Sequence, residues 1–323
     1  MVEDARPTPV IILTYARSGS SFLGDIIRQA EEVFYVFEPL HFLDHHIHLD
    51  RLTFFNGTTR TSYQYSVLVN NIISSIFTCQ LINLPLEFWH GKFVDMHGYQ
   101  LQTFLTKFKS ERSARYSKQM EFKIAIQILQ LECIKSKVVV IKTIRASLFL
   151  VQGLFSQLER LKTLHLVRDP RPTIISQKIY INDFDSVSDY AANLCFRISN
   201  DISMSNLLTV LYPSSIVRIR YEILTTKPVD TSKNIYQFLN LTFTKRIKYV
   251  IWKKTSSGIS GKGPLNTVKG NSTEMVNAWR LSANHSFVKS IDKKCQYLYK
   301  KLGYIQISDI AMLKNTSVAL FLP

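Results

Sequence analysis

Several short stretches of this chain are apolar at every position. "VIIL" (residues 10–13), "VFYVF" (33–37) and most of "KVVVIKTIR" (137–145) are rich in β-branched and aromatic side chains and show no polar alternation. A strand with one wet face alternates, whereas a strand covered on both faces does not, and double cover is the situation of a parallel sheet. Between these runs lie stretches with helical spacing, such as Phe22, Leu23, Ile26, Ile27 and Ala30 between residues 20 and 32. "LFLVQGLFSQLERL" (148–161) and residues 185–211 also read as helices, while "KTLHLVR" (162–168) and "SIVRIRYEIL" (215–224) read as strands. Strands alternating with helices predict an α/β fold, a parallel β-sheet flanked by helices. Residues 60–134 have mainly helical patterns, broken at Pro85 and Gly91.

The most informative turn follows the first strand. "TYARSGSSFLGD" (14–25) puts Arg17, Ser18, Gly19, Ser20 and Ser21 directly before the helical positions that begin at Phe22. A helix N-terminus offers free N–H groups and the positive end of its dipole, and small residues let an anion approach. Arg17 adds a forked, permanently charged donor. The same residues also suit a plain βα turn with a serine cap. GxxxxGK[ST] is absent, so this is not the ATPase phosphate loop. A second cluster, "LHLVRDPRPTIISQK" (164–178), has Arg168 at a strand end, a turn forced by Pro170 and Pro172, and then Ser176 in a helix. Arginine and a hydroxyl can clamp a second phosphate; a surface Arg–Asp pair is the plainer reading.

The chain carries 40 basic against 24 acidic side chains, a net charge of +16, which attracts anionic partners. No apolar run is long enough to span a membrane. Five Asn-X-Ser/Thr sequons, at Asn56, Asn240, Asn271, Asn284 and Asn315, lean toward the secretory pathway. Cys79, Cys133, Cys195 and Cys295 match no metal-ligand spacing and are either buried thiols or two disulfides. Three pairings exist; an oxidising lumen lets two bridges persist, and Cys195–Cys295, in the helix after the second cluster and the terminal helical region, is expected ahead of Cys79–Cys133. His41 and His45 in "HFLDHHIHLD" (41–50) lack further ligands at zinc spacing, so no metal is expected. No nucleic-acid motif is present, so no nucleic-acid partner is expected.

The two clusters resemble, in this order, the two signatures for 3′-phosphoadenosine 5′-phosphosulfate (PAPS) in Golgi carbohydrate sulfotransferases. The likeness is strongest to the branch acting on the 6-hydroxyl of galactose, N-acetylgalactosamine or N-acetylglucosamine. It continues at "VFYVFEPLH", "VVVIKTIR", "NLCFRISNDI", "RIRYEIL" and "AWR…C…LGY", from Val10 to Tyr304. The resemblance implies one domain over 1–323 with the P-loop-NTPase-like sulfotransferase fold, residues 45–132 being a variable, acceptor-side insertion. It implies that Arg17, Ser18, Gly19, Ser20, Ser21 and Phe22 hold the 5′-phosphosulfate, and that Arg168 and Ser176 hold the 3′-phosphate. PAPS would be co-substrate and adenosine 3′,5′-bisphosphate (PAP) product, without a metal. The acceptor would be a glycan, anionic or glycosaminoglycan-like, and the location the Golgi lumen. The family's membrane anchor is not in this sequence, so a soluble or secreted form is also open.

A sugar hydroxyl is a poor nucleophile and needs a base. Glu38, expected beside the strand that ends at the cradle, matches the family position of the proposed base; a structural carboxylate paired with Arg17 or another cation is the alternative. His41, three residues on, is the second candidate. Two rival functions remain. A nucleotide-dependent phosphoryl transferase lacks its Walker and magnesium residues here. A non-catalytic basic glycan-binding module would have no use for Arg17, Glu38, Arg168 and Ser176 together. The basic loop 256–273, with Lys262 and Lys269 among glycines, is expected to close over the nucleotide.

Overall fold

The computed structural model describes residues 6–46, 51–60, 64–90, 116–181, 184–261, 263 and 266–322. The strands are β1 (Thr8–Leu13), β2 (Val33–Phe37), β3 (Leu52–Thr53), β4 (Thr59–Arg60), β5 (Val138–Thr143), β6 (Lys162–Val167) and β7 (Ile216–Arg220). Among the helices are α1 (Ser20–Ile27), α2 (Tyr65–Phe77), α3 (Tyr116–Lys135), α4 (Pro170–Tyr180) and α5 (Val187–Leu211). Then follow α6 (Tyr221–Thr226), α7 (Pro228–Phe238), α8 (Lys245–Thr255), α9 (Ser272–Ser282) and α10 (His285–Leu302). The main sheet has the order β2-β5-β1-β6-β7, and β3 and β4 form a small antiparallel ribbon. β5 runs parallel to both β1 and β2, with Val140 opposite Val10 and Lys142 opposite Phe37. Every residue of β2 and β5 is buried, as their lack of alternation requires.

The sheet corrects three sequence readings. β5 lies between β2 and β1, so Glu38 does not follow the strand next to β1. Parallel neighbours need a crossover, and sequence order does not say which strand returns to which edge. The helix expected over 148–161 is two short pieces, Leu148–Val151 and Leu154–Gln157, interrupted around Gly153. "SIVRIRYEIL" is a strand only to Arg220; Tyr221, Glu222, Leu224 and Thr225 are then buried at helical spacing in α6. Residues 91–115, within the expected insertion, lie outside the described residues.

The chain divides into two compact units. The first, Met1–Leu13, Ile27–Leu164 and Tyr212–Val217, holds β1, β2, β5, α2 and α3. In it α2 buries Val69, Ile72, Ile73, Ile76 and Phe77. The Trp89 ring meets Phe88 and Phe122 edge-on, and Cys79–Cys133 bridges the two sides with Cα atoms 5.6 Å apart. The second unit, Thr14–Ile26, His165–Leu211 and Arg218–Pro323, is centred on α5 against α10. Leu194, Ile198, Ile202, Ile291 and Leu298 form its core, clamped by Cys195–Cys295 at a Cα distance of 5.5 Å. Both pairings expected from the sequence are present. Arg280 is fully buried and donates to the carbonyls of Met312, Leu313, Asn315 and Val318, fixing the C-terminal segment.

Candidate active site

The turn after β1 lies in the second unit. The Tyr15 carbonyl accepts from the Ser18 N–H at 3.2 Å and from its hydroxyl at 2.6 Å. Thr14 and Ser18 share a hydroxyl contact, and Thr14 also donates to the Leu166 carbonyl at 3.0 Å. Gly19 has φ +91°, and a Cβ there would lie 2.2 Å from the Tyr221 ring, so only glycine fits. Arg17 also has a left-handed backbone, φ 63°, a conformation costly for a side chain of this size and concentrated at functional sites. α1 starts at Ser20 directly behind this bend.

Asp169 caps α4 by accepting from the Arg171 N–H at 2.9 Å, and Pro170 fits the first turn because its missing N–H would have no partner there. The two clusters interlock. Arg168 donates to the Arg17 carbonyl at 2.9 Å and lies 4.3 Å over the Tyr221 ring. Arg17 donates through Nε to the Ser176 hydroxyl at 2.9 Å, and its guanidinium lies 4.6 Å over Tyr180. Gln177 donates to the Ala16 carbonyl at 2.6 Å.

A third cation joins them. Burial lowers the Lys269 pKa, and the charges of Arg17 and Arg168 lower it further. Burial likewise lowers Arg17, with Arg168 adding to the effect. Three cations close enough to repel one another, at a bend with a helix N-terminus, form a field that an anion relieves. The loop carrying Lys269 is tied down. Its backbone N–H donates to the Lys254 carbonyl at 2.7 Å, and Lys254 and Thr267 both reach Asp25 Oδ2 at 2.6 Å. Lys262 lies outside the described residues.

Below the turn is a buried polar network. The Tyr15 hydroxyl donates to Asp201 at 2.9 Å and bonds to His165 Nε2 at 3.0 Å. With the Tyr15 O–H directed at Asp201, the hydroxyl oxygen accepts, so Nε2 of a neutral His165 carries the ring proton. Burial pushes the His165 pKa down to about 3, so the ring is neutral. Glu222 accepts from the Asp169 N–H at 2.9 Å and from the Tyr304 hydroxyl at 3.1 Å. Burial raises its pKa, and nearby Asp169 adds to the shift.

The first unit holds Glu38 and His41. Glu38, φ 47°, is buried with both oxygens engaged: Lys142 at 2.5 Å, Arg145 at 2.7 Å and the Ile144 N–H at 3.2 Å. Arg145 also binds Asp44 at 2.6 Å. Burial opposes the Arg145 charge, but Asp44 and Glu38 outweigh it and raise the pKa. His41 is buried, and its backbone N–H donates to the Glu38 carbonyl at 3.0 Å. The side chains of His45 and His46, and all of His48, lie outside the described residues. No cluster of potential metal ligands occurs among the described residues.

The pattern of the sulfotransferase family matches residues 9–245, most of the chain and both clusters. The chain belongs to the sulfotransferase family. It is 24% identical over 361 residues to carbohydrate sulfotransferase 1 of Danio rerio, covering 98% of this chain and 82% of that protein. It is 22% identical over 345 residues to carbohydrate sulfotransferase 3 of Tetronarce californica, covering 96% and 76%. A similar solved structure is the sulfotransferase domain from the curacin biosynthetic pathway, with TM-score 0.47 and 15% identity over 90% of this chain and 98% of that one.

In this sulfotransferase, Arg17, Ser18, Gly19, Ser20, Ser21, Phe22, Arg168 and Ser176 all fall in the second unit, and Glu38 and His41 in the first. Sequence reasoning missed Lys142 and Arg145. Their signal was present, because a lysine inside the fully buried strand "VVVIKT" demands a carboxylate partner. It also missed Tyr15 and Tyr221, which read as ordinary strand and strand-like aromatics.

Proposed function

We propose that this sulfotransferase uses PAPS to sulfate a sugar hydroxyl, the 6-OH of galactose, N-acetylgalactosamine or N-acetylglucosamine in a glycan. The observation that carries the cofactor reading is the interlocking of Arg17 and Arg168, whose charges also reach Lys269, at the Gly19 bend. That donor set fits a ligand with separate anionic groups, as PAPS is. When bound, PAPS supplies the sulfuryl group and a nucleotide bisphosphate that leaves. The chain's own residues hold those anions, and Arg17, at the start of the helix, is placed in this reading to stabilise charge that grows on the departing oxygen. The carbohydrate acceptor is supported by the relatives, which are carbohydrate sulfotransferases. The two disulfides suit the lumen of the Golgi. The whole chain acts as one sulfotransferase domain in this reading, with residues 45–132 on the acceptor side. Stabilisation of the melting temperature by PAP, with none by ATP and magnesium, is the expected result; the reverse would favour phosphoryl transfer.

In this reading Glu38 takes the hydroxyl proton as the new sulfur–oxygen bond forms. One observation favours a second reading. With Lys142 and Arg145 on its two oxygens, Glu38 can instead be a structural ion-pair centre, leaving the proton to His41. The two separate in kinetics. Glu38→Gln as base loss lowers turnover about a hundred- to ten-thousand-fold with PAP affinity retained, while the melting temperature falls because Lys142 loses its buried partner. If Glu38→Gln turns over near the normal rate while His41→Ala is inactive, His41 is the base.

A further inference from the structure

Helix α8 has the sequence KRIKYVIWKKT, without an acidic residue. Its inner side is Ile247, Ile251 and Thr255, all buried, with Lys254 turned to Asp25. At about 100° per residue the opposite side presents Lys245, Arg246, Tyr249, Trp252 and Lys253, with Lys248 on its flank, and all six are exposed. Tyr249 is 59% and Trp252 49% exposed, and their rings stack with centroids 5.9 Å apart and planes 29° from parallel. Among the described residues, Lys245, Lys248 and Lys253 pair with no carboxylate. Two large aromatic faces held in water cost hydration free energy with no return inside the fold.

We infer that the outer face of α8 is a docking surface for an anionic polysaccharide, apart from the cofactor site. Flat aromatic rings cover the C–H faces of sugars, and lysines on both flanks meet sulfate or carboxylate groups. From Lys245 to Lys253 the face runs about 12 Å, longer than one sugar ring, so it suits a chain rather than a monosaccharide. A lipid surface fits less well. An interfacial helix buries aliphatic side chains in the membrane, whereas here the isoleucines of α8 point into the protein. The choice of a glycan over another polyanion rests on the acceptor class proposed above. On that reading α8 holds the unreacted part of a long acceptor and raises its local concentration.

The test uses the full chain and needs no turnover. Wild type, Lys245→Ser/Lys248→Ser/Lys253→Ser and Tyr249→Ala/Trp252→Ala are eluted with salt from immobilised chondroitin sulfate. Trp252 is the reporter, because it is exposed whereas Trp89 is fully buried and Trp279 mostly buried. Soluble chondroitin sulfate is expected to shift its emission to the blue. The lysine variant is expected to bind at least ten-fold more weakly and with a shallower salt dependence, and the aromatic variant several-fold more weakly. Sulfation of a disaccharide acceptor stays unchanged in both, while KM for a long acceptor rises. Elution of both variants together with wild type overturns the inference. So does an emission shift with acidic lipid vesicles but not polysaccharide, or equal affinity for DNA. A wild-type chain that sulfates no glycan would instead sink the proposed function, and the elution result would still stand by itself.

Discussion

Arg17 and Arg168 meet at the same bend, yet their surroundings predict different kinetics. Arg17 sits at the strained bend and is assigned to charge that develops during transfer, so Arg17→Ala should lower kcat about a hundred-fold or more. Arg168 spends one donor on the Arg17 carbonyl and is assigned to a phosphate that does not react. Arg168→Ala should therefore raise KM for PAPS about ten-fold or more, with a smaller effect on kcat. Steady-state kinetics with varied PAPS read both, and equal, small effects would overturn the assignment. At this scale the sequence named the residues proposed to bind the anions but not the residues that hold them. Arg17, Gly19, Arg168 and Ser176 stand in short local clusters, where a motif is visible. Tyr15, His165 and Asp201 are scattered over the chain and meet only in the folded protein.

Two elements have consequences of their own. α5 and α10 are joined by Cys195–Cys295 across 100 residues of chain. In the chain-entropy account a loop of that size contributes about 4–5 kcal/mol. Cys195→Ser/Cys295→Ser should therefore lower the melting temperature clearly, with the Cys79–Cys133 bridge still intact by non-reducing peptide mapping. Loop 256–273 is the other element. Gly258 and Gly270 share a backbone bond of 3.0 Å, and a Cβ on Gly270 would come within 2.7 Å of the Gly258 backbone, so a tight neck closes the loop. Tryptic cleavage within the loop, after Lys262 or Lys269, should be slower with saturating PAP than in the free protein, since a bound anion holds Lys269. Identical rates would mean that the loop takes no part in binding. The sequence located this loop from its glycines and lysines, but its neck depends on Asp25, more than 200 residues earlier.

At the scale of the whole molecule, the buried histidine ties stability to pH. His165 is held neutral in the fold with a pKa of about 3, whereas in the unfolded chain it titrates near 6.5. Between those values the unfolded state binds the extra proton, so stability is full above about pH 6.5 and falls as pH drops toward 3. The slope approaches about 1.4 kcal/mol per pH unit for this one group. Burial raises Glu222 and Asp292, which bends the same limb the other way. The difference between wild type and His165→Gln therefore isolates the histidine. Urea midpoints from pH 7.5 to 4.5 should converge as pH falls, and a constant difference would exclude the assignment. The sequence by itself determined the α/β class and the parallel sheet and singled out the two clusters proposed to bind anions, because periodicity and motif chemistry are local properties of the chain. It also ranked the disulfide pairs that form. Only the tertiary structure decided that β5 separates β2 from β1, that Lys142 and Arg145 occupy the Glu38 carboxylate, and that Lys269 joins Arg17 and Arg168. Those outcomes depend on which distant segments pack together, and partners across a parallel sheet follow from strand order, which no local pattern encodes.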